Sequence, residues 1–253
     1  MNIATPPTPA PPLSGGAQHR AGMLAFTLIL LTAAFPSQIR AATLPQLQTL
    51  ISQLGSDDPH LRDTAMGNLM DLHCRDLPML RAAAMSQSPL MPGQVDALRQ
   101  AVAQVFLAGE PFKVDPQEPG GFLGIQFPHE YEGVVVLARI RGFPGYRYLQ
   151  VGDVIVRILD RPNMRIHNYN DFVSAVALFH PGETLHLVIL RYGREIAVAV
   201  PLDYKPVDIN PENISEWVDR REKLAAAYWS AEFSMIDPSA APTQVQAAVP
   251  IEP

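Results

Sequence analysis

The hydrophobic pattern divides the chain into a helical half and a strand-rich half. From Leu44 to Leu107 apolar positions recur at helical spacing. Leu47, Leu50, Ile51 and Leu54 form an i, i+3, i+4, i+7 stripe that Gly55 ends. Ser56-Asp57-Asp58-Pro59 is a start signal for a second helix carrying Leu61, Ala65, Leu69 and Leu72. Leu77, Leu80 and Ala84 give a third helix closed by Ser88-Pro89, and Val95, Leu98, Val102 and Val105 to Leu107 give a fourth. The period then switches to two. Leu123, Ile125 and Phe127 alternate with other residues, as in a half-buried strand. Val134 to Ile140 and Val154 to Leu159 are β-branched runs, the first stopped by Gly142 and Pro144, the second by Asp160-Arg161-Pro162. Leu185, Val188 and Leu190 lead into the turn signal Tyr192-Gly193, after which Ile196, Val198 and Val200 return as the partner strand. Between the strands, Phe172, Val173, Val176 and Phe179 fall at helical spacing. Asn168 or Asn170 is placed to cap that helix and His180-Pro181-Gly182 to end it. A last helix opens at Asn213-Ile214-Ser215-Glu216 and runs to about Phe233, with Trp217, Leu224, Ala227, Tyr228 and Phe233 apolar and Arg220 to Lys223 charged.

Three elements of the strand-rich half carry a family likeness. These are Phe122-Leu123-Gly124-Ile125, then Leu149-Gln150-Val151-Gly152-Asp153-Val154-Ile155, then Pro181-Gly182-Glu183 followed by two strands around Arg191 and Gly193. Together they resemble a PDZ domain of the bacterial type found in HtrA-family proteases. The resemblance implies an α+β fold: a small PDZ-like β-sandwich or partly open barrel with a groove helix. It also implies a peptide groove. The loop's successive N–H groups would cradle a C-terminal carboxylate. The edge of Ile125-Gln126-Phe127 would accept an extended peptide as an added strand. Phe122, Leu123, Gly124, Ile125, Gln126 and Phe127 would line one side, and Tyr169, Val173 and Val176 the other. The sequence departs from the family pattern at Gly145-Tyr146-Arg147 and at Tyr148, where the family has small residues and a Gly, so this region is expected to be reshaped. Asp160-Arg161 replaces the usual Asn-Gly, a turn variant. Tyr169 stands where many animal PDZ domains carry His, so a preference for Ser or Thr two residues before the ligand terminus is not expected. Arg147, Arg157, Arg161 and Arg165 are expected to be solvated surface.

The run Leu54-Gly55-Ser56-Asp57-Asp58-Pro59, Leu61-Arg62, Ala65, Leu69, Leu77-Pro78, Leu80 resembles one unit of a HEAT-type helical repeat. One or two units are fewer than a solenoid needs. The all-α segment is therefore either a second protein-binding surface or a structural bundle.

The chain has 253 residues, 47% of them hydrophobic, which allows one or two globular domains. The expected division is a disordered leader with a signal peptide or anchor at 1–42, the helical segment at 43–108, and a Pro-rich linker at 109–119. The PDZ-like domain follows at 120–204, the C-terminal helix at 205–235 and a disordered tail at 236–253. In the leader, the apolar run Met23 to Phe35 is short for a membrane span, which needs about 20 apolar residues. Preceded by His19-Arg20, it reads as a signal-peptide core, with an uncleaved membrane anchor through residues 23–35 as the alternative. Export to the periplasm or cell envelope follows. The single cysteine, Cys74, then forms no internal disulfide and is expected to be a small buried apolar residue.

Net charge is −6, so no electrostatic case for nucleic acid exists. There is no Gly-x-Ser-x-Gly elbow, Gly-rich phosphate loop or His-Glu-x-x-His, and the seven histidines form no metal-ligand pair at i, i+3 or i+4. His60 with Asp63, and His129 with Glu130 and Glu132, are the only acid–base pairs to propose, and each reads better as surface chance. HtrA relatives carry a serine-protease domain before the PDZ; the helical segment stands in that place here, so a protease domain is not expected. The reading is therefore a non-enzymatic, cofactor-free module that captures a protein or peptide C-terminus of an envelope or secreted protein. The alternative is a scaffold that binds a folded partner with the groove idle.

Overall fold

The computed structural model describes residues 42–115, 117, 120–128, 133–210 and 212–236. Helix α1 (Leu44–Gln53) begins where the Thr43 amide donates to the Gln46 side chain at 3.0 Å. Helix α2 (Pro59–Met70) begins at Asp58, whose carboxylate accepts from the His60 amide at 2.9 Å. Both starts satisfy amides that a first turn leaves without partners. Helices α3 (Leu77–Ser86) and α4 (Pro92–Gly109) complete the unit. Leu47, Ile51, Ala65, Leu69, Leu80, Leu98 and Val102 form its core, so the stripes fold inward as the period demands. Leu61 does not join them; it sits in the first turn of α2 and is exposed. Cys74 is also exposed, contrary to expectation. It opens a 3-10 turn (Cys74–Asp76), and its side chain lies against Gly109, where no Cβ intervenes.

Among the described residues the second half forms three open antiparallel sheets. Strands β3 (Val134–Val135), β5 (Val154–Ile158), β6 (Thr184–Arg191) and β7 (Arg194–Pro201) make the largest, in the order β3-β5-β6-β7. The β6–β7 hairpin closes through Tyr192 (φ 51°) and Gly193 (φ 75°). Positive φ at both central residues gives the turn whose twist matches that of paired strands. Strand β1 (Gly121–Phe122) pairs with β8 (Asp203–Tyr204), and β2 (Ile125–Gln126) pairs with β4 (Ala138–Arg139). The single strand expected over Val134 to Ile140 is thus two. The β-branched run crosses from one sheet to another, and the bend between β3 and β4 is pinned by hydrogen bonds from Val136 N to Asp153 O and from Leu137 N to Gln126 O. Helix α6 (Tyr169–Val176) packs Phe172, Ala175 and Val176 onto Leu123, Ile155, Leu185 and Leu187, the core of this half. Among the described residues the arrangement is α+β: α1 to α4 precede the first strand, and α6 lies between β5 and β6.

A long C-terminal helix, α7 (Ile214–Glu232), joins the halves. Trp217, near its start, packs with Ile140, Phe143 and Ile209. Trp229 and Phe233, at its end, enter the core of the helical unit, stacked at 5.0 Å. Between them Arg221 is 6% exposed, donates to the Leu107 carbonyl and lies over the rings of Trp217, Phe112 and Phe143. Leu224 and Ala227, expected on the apolar face, are exposed instead. The helix presents its arginine inward because aromatic faces and a carbonyl meet the guanidinium there. The segment read as a linker is pinned as well: Phe112 packs beside Phe143, and Val114 bridges to Pro206.

Candidate functional site

A cleft of about 450 Å3 opens between β2 and α6. Helix α6 is set by Asn168, whose side chain accepts from the Asp171 amide at 3.0 Å, while the Asp171 carboxylate accepts from the His167 amide at 2.9 Å. Tyr169, Val173 and Ala177 follow at i, i+4 and i+8 and form one stripe toward the cleft. Val173 is 42% exposed although apolar. Phe127, Phe172 and Tyr169 close one end, with Phe127 at 5.3 Å from Phe172 and 5.8 Å from Tyr169 by ring centroids. Leu123 and Val176 are buried and form its floor.

The strand beside the cleft has one edge used and one edge open. Gly124 O accepts from Ile140 N at 2.7 Å, and Gln126 O accepts from Leu137 N at 2.9 Å. Backbone groups alternate sides along a strand, so the Ile125 carbonyl points away from β4. Peptide planarity sets the Ile125 amide opposite the Gly124 carbonyl, and therefore away from β4 too. Strand β2 pairs only with β4 among the described residues. Side chains alternate along a strand, so Gln126, between Ile125 and Phe127, faces away from the cleft that these two line.

At the other end, Gly120 to Gly124 wraps past the terminus of α6. Gly121 N donates to Phe179 O at 2.8 Å, and Leu123 O accepts from Gly145 N at 2.8 Å. That bond turns the Leu123 carbonyl inward, so the Gly124 amide faces the opposite way. Gly124 has φ +71°, and a Cβ there would fall on the Cβ of Phe143. Both facts require glycine. His180 and Lys205 border this end of the cleft. Neither was expected at the cleft: His180 is read in the sequence only as part of a helix stop, and the β1–β8 register, Gly121 against Tyr204, brings Lys205 there.

Eight of the nine expected groove residues therefore line one cleft, Gln126 being the exception. Arg147 is not solvated surface; it pairs with Asp71. Arg157 pairs with Glu195 on the exposed hairpin, Arg161 lies over the Phe179 ring, and Arg165 is exposed. Asp153, 1% exposed, accepts from the Gln150 amide at 2.7 Å and from Arg191 at 2.7 and 2.8 Å. These hydrogen bonds raise the already high guanidinium pKa of Arg191 further. The pair braces the Leu149 to Ile155 turn and lies outside the cleft lining. Among the described residues no three His, Cys, Asp or Glu side chains are grouped to hold a metal ion. No described helix is long and apolar enough to cross a membrane; the 23–35 run, His129, Glu130 and Glu132 lie outside the described residues.

Neither a protein-family model nor a curated protein sequence matches the chain. Solved structures similar to part of it include the HtrA-type protease AlgW with decapeptide (22% identity, TM-score 0.31, 44% of this chain and 35% of that one). The same protease with tripeptide gives 24% identity and a TM-score of 0.30, over 37% of this chain and 33% of that one. The serine endoprotease from Yersinia pestis gives 26% identity and a TM-score of 0.30, over 34% and 29%. The chain thus spans about a third of the length of the structures it matches.

Proposed function

We propose that the chain is a non-enzymatic binding protein whose residues 120–204 form a PDZ-type module, capturing the C-terminus of an extended peptide between β2 and α6. The observation that carries this reading is the open edge of β2, with the Ile125 amide and carbonyl turned from β4 beside an apolar cleft that ends at a glycine-rich loop. An extended peptide supplies the missing ladder partners, and alternate side chains enter the cleft. Its terminal carboxylate meets the amides of Gly124 and its neighbours, with Lys205 and His180 supplying polar and cationic groups at that end. Leu123, Ile125, Val173 and Val176 favour an apolar last residue. The apolar run at 23–35 supports export, so the ligand is the C-terminus of an envelope or secreted protein. The helical segment serves as a support for this module.

Screening a random C-terminal peptide library against the full chain tests the reading. Enrichment of short apolar C-termini is the expected result. Absence of any selected sequence would overturn peptide capture and favour a scaffold that meets a folded partner elsewhere.

A further inference from the structure

We propose that Gln104, on helix α4 of the helical unit, is a positioning residue for the groove loop, acting through Gly142 and Phe143. The inference deepens the peptide-capture reading and rests on it. Gln104 is 4% exposed and spends both ends of its amide on the backbone of the other half. Its Oε1 accepts from Gly142 N at 2.7 Å, and its Nε2 donates to Phe143 O at 3.3 Å. One side chain thus fixes two consecutive residues, and a buried amide is held there only while both partners stay in place.

Phe143 is the surface on which the loop rests. It is fully buried, edge-on to Phe122 at 5.0 Å and tilted against Phe112 and Trp217 at 5.5 and 6.0 Å. Gly124 sits directly on its Cβ, with no space for a methyl group. Two residues on, Gly145 N holds the Leu123 carbonyl at 2.8 Å, the bond that turns the Gly124 amide outward. The seat itself is tight: a Cβ on Gly142 would lie 2.8 Å from the Leu107 side chain. A shift of the Gly142–Phe143 backbone therefore displaces both supports of the loop, while the α6 wall, capped by Asn168, has its own anchor. Carboxylate reading depends on amide placement, and small misplacements of such groups are costly. By linkage, a ligand held by the loop strengthens the seating of α4 in return.

The test uses the full chain with Gln104→Met, which keeps length and removes the polar atoms, and Gln104→Glu, which keeps an acceptor for Gly142 N and loses the donor to Phe143 O. Amide 1H–15N shifts are recorded without ligand, and affinities are compared for one peptide as free acid and as amide. The expected result is movement of the Leu123, Gly124 and Ile125 amides with those of Val173 and Val176 unmoved. The preference for the free acid falls about ten-fold, an ordinary size for coupling between sites. Gln104→Glu, which sets a buried carboxylate against the Phe143 carbonyl, moves the loop amides at least as far as Gln104→Met. Unmoved loop amides in a folded variant, or equal movement on both walls, would overturn the proposal. A parent chain that shows no preference for the free acid overturns the peptide-capture reading instead, and the amide shifts still judge the positioning.

Discussion

Arg147 and Asp71 join the two halves of the molecule: Nε and Nη2 of the arginine donate to the two carboxylate oxygens at 3.1 and 3.2 Å. The arginine stands on α5 (Pro144–Tyr148), the aspartate at the end of α2. The guanidinium lies on Gly67, where a Cβ would overlap it. Beside it, burial and then the Asp71 carboxylate raise the Tyr148 phenol above its ordinary range. The stretch that departs from the PDZ pattern is therefore the stretch that docks the helical unit. Arg147→Ala, Asp71→Ala and the double variant should give a coupling of about 0.5–1 kcal/mol by urea denaturation, shrinking at high salt because the pair is half exposed. A coupling of zero would remove the pair from the interface.

Asp153 and Arg191 form a part-buried counterpart, with the aspartate side chain 1% and the arginine side chain 19% exposed. Asp153→Asn leaves the Arg191 guanidinium without its anion, and the loss of hydrogen bonds between charged groups costs about 1.5–3 kcal/mol. Thermal and urea unfolding should show a loss of that order. A loss within the range of surface substitutions would mean that the turn at Leu149 to Ile155 holds without it.

Burial holds the Asp203 carboxyl above the usual aspartate range, against the lowering effects of the Tyr204 amide and Arg221. Its folded pKa thus exceeds its unfolded one. The associated stability is fully present in acid, below the unfolded value, and is lost as pH rises through the folded value. Asp203→Asn should accordingly raise the melting temperature at neutral pH, with the gain disappearing in acid below the ordinary aspartate range. A destabilised variant at neutral pH would show that attraction to Arg221 outweighs burial.

Val173 offers a clean separation of fold from binding. It is 42% exposed on α6, so Val173→Asp should change stability by no more than about 0.5 kcal/mol. The same change sets a charge against the apolar last residue of the ligand and should weaken peptide binding more than ten-fold, about the 1.4 kcal/mol scale of a decade in affinity. Calorimetric titration beside a melting curve decides it; unchanged affinity would move the ligand off this wall.

How much of this was legible in the sequence depends on the range of the contact. Helical stripes such as Leu47-Ile51 and Leu98-Val102 and the Tyr192-Gly193 turn are local and read directly, while the α6 cap, left open between Asn168 and Asn170, is Asn168. The family likeness set the expectation that Gly124 and Val173 face each other, and both line one cleft. Contacts between distant segments left no local mark. Gln104 shares α4 with Gln94, Asp96, Arg99 and Gln100, and nothing local sets it apart; its partner Gly142 lies 38 residues on. Arg221 sits in a charged run, Arg220 to Lys223; the rings over it are Trp217, one turn earlier on the same helix, and Phe112 and Phe143 from two other segments. Cys74 misled for the opposite reason: its apolar character suggested burial, whereas a turn at the surface holds it.

The most direct test of the account is the affinity of the full chain for its best library peptide, measured as the free acid and as the C-terminal amide. If the Gly120 to Gly124 loop reads a carboxylate, amidation should weaken binding about ten- to a hundred-fold, the 1.5–3 kcal/mol of hydrogen bonds to a charged group. Equal affinity for the two forms would contradict carboxylate capture.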